Sequence, residues 1–173
     1  MSHPSSDEDL MVLVQRGDTD AFATLFARHR SPLYSYLLRL SRRSEIADEV
    51  FQEAFLSVHR ARASWTASAG TFRSWLYRIA TNALRDAQRR ALRRPEVLDD
   101  TAVIAIREAP ATRVDLERAL AQLPENLRDA FLLASVSGLD HNEIAAALDI
   151  SADNARARVS RARTRLRELL EAG

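Results

Sequence analysis

Residues 138–170 read GLDHNEIAAALDISADNARARVSRARTRLRELL, and the fold turns on how this stretch is punctuated. Asp140 followed by Glu143 is a helix-start signal, a short acceptor side chain with an acid at the third helical position. The apolar spacing after it supports a helix of only about eight residues. A three-residue turn, Asp149 to Ser151, then opens a longer helix that carries six arginines between Arg156 and Arg167. Two helices joined by so short a connection form the helix-turn-helix pattern.

At about 100° per residue, Ala155, Val159, Ala162, Leu166 and Leu169 share one face of the long helix, the face expected to pack inward. The arginines fall into two rows. Arg156, Arg163 and Arg167 lie on one flank, and Arg158, Arg161 and Arg165 on the other. Between the rows lie Ala157, Ser160 and Thr164, small enough to let the helix backbone approach a groove while guanidinium groups reach phosphates or base edges on either side. A bland alternative is that the arginine stems simply cover the edges of the apolar stripe. The short capped helix and tight turn that precede them favour DNA.

Working outward, Pro124 is expected to begin a helix that Gly138 ends, and Thr112 with Asp115 resembles a capping box that opens the C-terminal unit. Further upstream, Asp7 to Arg16 reads as a short helix stopped by Gly17, and Ala21, Phe22, Leu25 and Phe26 draw a second helix. Ser31-Pro32 is expected to start or kink a helix through Leu33, Leu37 and Leu40. Ser44 to Ala63 has a core face of Ala47, Val50, Phe51, Ala54, Phe55 and Val58. Residues 63–71, ASWTASAGT, read as a loop, with Thr71 capping a long helix to about Arg93. No stretch reads as a convincing strand. The fold class is therefore all-α, with a helical bundle over 7–94 and a helix-turn-helix domain over 112–172. A flexible acidic linker over 95–111 joins them, with VIAI at 103–106 as a short apolar element inside it.

The helix from Thr71 repeats the arrangement of the last one. Phe72, Leu76, Ile79, Ala83 and Ala87 form its core line, while Arg78, Asn82, Arg85 and Arg89 align on an outer face. Trp65 and Trp75 lie near its start, and aromatic rings beside a basic stripe suit unpaired bases, each stack contributing about 1 to 3 kcal/mol. The helix of 44–63 differs. Asp48, Glu49, Gln52 and Glu53 make an acidic face, which DNA would repel and a basic protein partner would accept.

Composition removes other classes of function. The net charge is +1, yet all 25 basic residues are arginine and none is lysine. Schiff-base lysines and the lysine of a phosphate-binding loop are thereby excluded. With no cysteine there is no disulfide, thiolate metal site or thiol switch. His3, His29, His59 and His141 lack ligand-like spacing, so no metal or cofactor is expected. No apolar run approaches the roughly 18 residues that span a bilayer, and nothing resembles a signal peptide, which points to the cytoplasm.

In order along the chain, GDTDAFATLFARHRSPLYSYLLRL, ADEVFQEAFLSVHRAR, TFRSWLYRIATNALRDAQRR and LPENLRDAFLLASVSGLDHNEIAAALDISADNARARVSRARTRLRELL resemble the extracytoplasmic-function sigma factors, the small two-domain members of the sigma-70 class. The resemblance implies a non-enzymatic transcription initiation factor. Its partners would be core RNA polymerase (clamp helices and flap), promoter DNA and an anti-sigma factor, which if membrane-bound would hold it at the inner membrane face. No small-molecule substrate or membrane insertion is implied. Asp48, Glu49, Gln52 and Glu53 fall on the polymerase side. Asn154, Arg156, Ala157, Arg158, Ser160, Arg161 and Arg163 fall on the side that reads the −35 element. Trp65, Trp75, Arg78, Asn82, Arg85 and Arg89 fall on the −10 side, with the loop from Ala63 to Gly70 holding a flipped base and the linker running through the RNA path. Asp149 stands where the family usually has glycine, and Asp153, Asn154 and Ala155 where Gly-Thr-Val is common. An alternative is a helix-turn-helix regulator that binds duplex DNA without polymerase.

Overall fold

The computed structural model describes residues 6–93 and 111–172, with 111–113 as backbone. The linker expectations, including 103–106 and Pro110, and the side chain of Thr112 lie outside these residues. The described residues form eight α-helices and no strand: α1 Asp7–Gln15, α2 Thr19–Ser41, α3 Ser44–Ala61, α4 Phe72–Arg93, α5 Ala111–Gln122, α6 Glu125–Ser135, α7 His141–Leu148 and α8 Ala152–Glu171. Two short 3-10 turns, Arg62–Ser64 and Ala67–Ala69, lie between α3 and α4.

Local chemistry sets the boundaries. Ser6 and Asp9 form a capping box on α1, and Gly17 at φ 92° turns the chain into Asp18, whose carboxylate accepts from Asp20 and Ala21 N–H at the start of α2. One expectation is corrected in part: no helix starts at Pro32, because α2 continues through it. Proline in a helix interior removes one backbone bond, at a cost of about 3 kcal/mol. Ala21, Leu25, His29, Leu33, Tyr36, Leu37 and Leu40 are buried along a single face on both sides of it, and that continuous packing outweighs the lost bond. A smaller difference falls on α6, which ends at Ser135, short of Gly138.

In the N-terminal bundle α3 packs on α2 and α4, and α1 lies across α2. Half-buried Phe22, Phe26 and Phe51 gather around buried Phe55 at the edge of its core, edge-on or tilted with centroids 4.7–6.4 Å apart, within the range aromatic pairs favour. The C-terminal unit packs α8 on α5, α6 and α7 around Leu132, Leu133, Ile144, Ala155, Val159, Ala162 and Leu166. Its turn follows the sequence reading. Asp140 and Glu143 form the capping box of α7, Asp149 ends it in left-handed backbone at φ 56°, and Ser151 caps α8 by accepting from Asn154 N–H. Short polar side chains tolerate that conformation better than most.

The two units touch, because α4 packs along α7. Three ion pairs flank the contact: Arg39–Glu117 at 2.5 Å, Arg73–Glu143 at 2.6 Å and Arg85–Asp129 at 3.2 Å.

Candidate nucleic-acid and polymerase interface

On α8, Ala155, Val159, Ala162 and Leu166 are buried, and Asn154, Arg156, Ser160, Arg161, Arg163 and Thr164 are exposed. The floor between the arginine rows is less open than expected at one position, since Ala157 is half-buried. Arg156 reaches back to Asp153 at 3.3 Å, and Arg158 Nε donates to Asn154 Oδ1 at 3.1 Å. These i, i+3 and i, i+4 contacts hold two guanidinium stems along the helix at small energetic gain, typical of exposed pairs. Arg163 and Arg167 border an apolar groove with Leu116, Phe131, Leu166 and Leu170. Their stems lie over hydrocarbon, as the bland alternative supposed for the whole row.

On α4, Arg78, Asn82 and Arg89 are exposed. Arg85 is drawn aside by Asp129 on α6, and Arg89 pairs with Asp86. The aromatics divide. Trp75 is half-buried and lines the groove between α3 and α4, whereas Trp65 is only 5% exposed and packs beneath the loop, its indole N–H without an acceptor. Trp65 therefore presents no ring face for stacking in this conformation.

The acidic face of α3 shares that groove. Glu49, Gln52 and Glu53 line one wall, and Trp75, Ile79, Asn82 and Arg90 line the other. Glu49 pairs with Arg90 at 2.7 Å and Glu53 with Arg60 at 3.3 Å. Asp48 sits outside the groove and accepts from the Tyr34 hydroxyl, which raises the tyrosine's pKa. Leu56, one turn beyond Gln52, is 51% exposed and borders the same groove. Sequence reasoning passed over it, although an apolar residue off the core stripe of an amphipathic helix was the available signal.

Sequence reasoning also missed Glu143 as a cross-unit acceptor. Besides completing its capping box, it accepts from Arg73 Nη2 at 2.6 Å, Arg73 Nε at 3.2 Å and Thr71 Oγ1 at 2.9 Å. Burial alone would raise its pKa, but the hydrogen bonds from Arg73, the Asp140 N–H and Thr71 outweigh it and hold the carboxyl below its usual range. Asp129 goes the other way. Burial pushes its pKa to about 6 even with Arg85 beside it.

A basic helix behind a helix-turn-helix corner, a second basic helix, and an acidic face across the groove from that second helix define a sigma-70-type arrangement, and comparison with known proteins agrees. The Sigma-70 region 2 family matches residues 25–94, and Sigma-70, region 4 matches residues 113–166. The ECF RNA polymerase sigma factor SigM of Mycobacterium tuberculosis (strain ATCC 25618 / H37Rv) is 37% identical over 170 residues, covering 97% of this chain and 86% of SigM. The ECF RNA polymerase sigma-E factor of Escherichia coli (strain K12) is 33% identical over 180 residues, covering 94% and 93%. A solved structure of CnrH in complex with the cytosolic domain of CnrY superposes with a TM-score of 0.75 at 27% identity, covering 97% of this chain and 99% of CnrH. The chain belongs to the extracytoplasmic-function sigma factors.

Proposed function

We propose that this chain binds core RNA polymerase and directs it to promoters that carry −10 and −35 elements. The observation that carries the reading is that both sigma regions lie in one chain in the family's order. The exposed start of α8 supplies the basic surface of the second region. Residues 7–94 take the polymerase and −10 roles, residues 95–111 connect, and residues 112–172 read the −35 element.

Asn154, Arg156, Ala157, Arg158, Ser160, Arg161 and Arg163 face the −35 major groove, where arginine pairs bidentately with guanine. Arg78, Asn82, Arg85 and Arg89 face −10 DNA, with Trp75 beside them. Arg85 reaches that DNA only by leaving Asp129, and Trp65 stacks only if the loop around it opens. Asp48, Glu49, Gln52 and Glu53 meet the clamp helices, and exposed Leu56 adds apolar area at the C-terminal end of that face.

The chain itself performs no catalysis in this reading; the polymerase does. An anti-sigma factor holds it inactive until a signal releases it, and its place of work is the cytoplasm. No described helix is long and apolar enough to cross a membrane, so any anchoring at the membrane face comes from that partner. Gel filtration of the chain with purified core polymerase tests the polymerase role. Co-elution is expected, weakened at least tenfold by Gln52→Arg with Glu53→Arg. Undiminished co-elution of that double variant would remove α3 from the interface, and absence of any complex would remove the reading.

A further inference from the structure

The segment between α3 and α4 has little regular bonding of its own. Of the backbone bonds that close its two 3-10 turns, Ala69 N to Thr66 O is 3.0 Å, whereas Trp65 N to Arg62 O and Gly70 N to Ala67 O are long, each 3.4 Å. Thr66, Ala67, Ser68 and Ala69 are exposed. Short 3-10 pieces with such geometry hold their shape poorly unaided, and an exposed loop with few buried contacts opens at low free energy.

Besides the Thr71 Oγ1–Glu143 bond at its C-terminal end, what fixes this one comes from α1. Gln15 Nε2 donates to both Arg62 O at 2.9 Å and Trp65 O at 2.8 Å, on either side of the first turn. Glu8 Oε1 accepts from Phe72 N at 3.0 Å, so α1 also supplies the acceptor at the first residue of α4. Both ends of the loop are thus tied to one nine-residue helix. That helix is in turn held on α2 by Asp7, which meets His29 Nε2 at 2.6 Å and Arg28 Nη1 at 3.0 Å, and by buried Leu10, Met11 and Val14. Neither Gln15 nor Glu8 reaches the exposed loop residues themselves, so both act on the loop through its backbone.

We infer that Gln15 and Glu8 are positioning residues which set the shape of the 62–71 loop, and through it the preference for one base at the unpaired promoter position that the loop holds. The inference rests on the reading of this loop as the holder of a flipped −10 base. Gln15 is exposed, so Gln15→Met keeps side-chain length and removes the donors without opening a core. Glu8→Gln keeps an acceptor for Phe72 N, and Glu8→Ala does not.

The test uses holoenzyme assembled from the full chain and core polymerase, with single-stranded 12-mers randomised at four central positions as probe. Enrichment after binding gives the ratio of preferred to average base at each position. Gln15→Met and Glu8→Ala are expected to lower that ratio at least fivefold at one position, Glu8→Gln to retain most of it, and hydrogen exchange of amides 65–71 to quicken in the first two. Val14→Ala, which weakens α1 packing and leaves both ties in place, should lower the melting temperature without moving the ratio. Replacing Ala67, Ser68 and Ala69 by glycines separates the two layers of the argument. If the glycine loop loses base preference and Gln15→Met keeps it, the positioning role is wrong and the loop reading stands. If the glycine loop keeps its preference, the loop does not read the base and both fall. Equal loss in Val14→Ala and Gln15→Met would also overturn the inference, because general stability would then explain it.

Discussion

Asp129 shows how burial can reverse the naive value of an ion pair. It is 3% exposed and 3.2 Å from Arg85, yet its pKa rises from 3.8 to about 6, so desolvation outweighs the partner, as is common for buried charges. The sign of the linkage follows. Between about pH 4 and pH 6 the folded chain holds a proton that the unfolded chain has released, so stability falls as pH rises through that window. Asp129→Asn should therefore gain about 1 to 2 kcal/mol at pH 7 and almost nothing at pH 4, by denaturant unfolding at both values. A loss at pH 7 would show that Arg85 is worth more than the desolvation. The arginines of α8 separate at the same scale. Arg161→Ala and Arg156→Ala should each cost about 1 to 3 kcal/mol of −35 binding in a base-selective way. Arg167→Ala, whose stem lies along Leu166 and Leu170, should change duplex binding little. Equal losses at all three, measured by titration of −35 duplexes with single base changes, would mean a nonspecific charged face.

Among elements, the turn between α7 and α8 was readable almost residue by residue, because its signals are local: Asp140 with Glu143, then Asp149 and Ser151. Asp149 occupies left-handed backbone at φ 56°, where glycine is unstrained and a β-branched side chain costs about 1 to 2 kcal/mol. Asp149→Gly should stay within about 0.5 kcal/mol of the parent, relief of strain being offset by a more flexible unfolded chain. Asp149→Val should lose about 1 to 2 kcal/mol, and equal melts of the two variants would contradict the assignment of the turn. The continuity of α2 through Pro32 was not legible, since it depends on packing from helices distant in sequence. The burial of Trp65 was not legible for the same reason: an aromatic in a polar loop gives no local sign of what packs over it.

For the whole molecule, the all-α class and the helix faces were present in periodicity and caps, and the order of the two regions in the resemblance to the sigma family. The contact between units was not. Arg39, Arg73 and Arg85 find their acids 78, 70 and 44 residues away, a separation at which no pattern in the sequence pairs one arginine with one carboxylate. Those pairs also turn two α4 arginines, Arg73 and Arg85, toward the C-terminal unit, and Arg85 is one of the residues proposed above to face −10 DNA. The central claim is that both regions act together to place polymerase on a promoter, and run-off transcription by purified core polymerase on a genomic fragment library, with and without the chain, tests it most directly. Discrete transcripts that require the chain and disappear when Arg156 and Arg161 are both changed to alanine are expected. The same transcripts without the chain, or none with it while duplex DNA is still bound tightly, would contradict the claim.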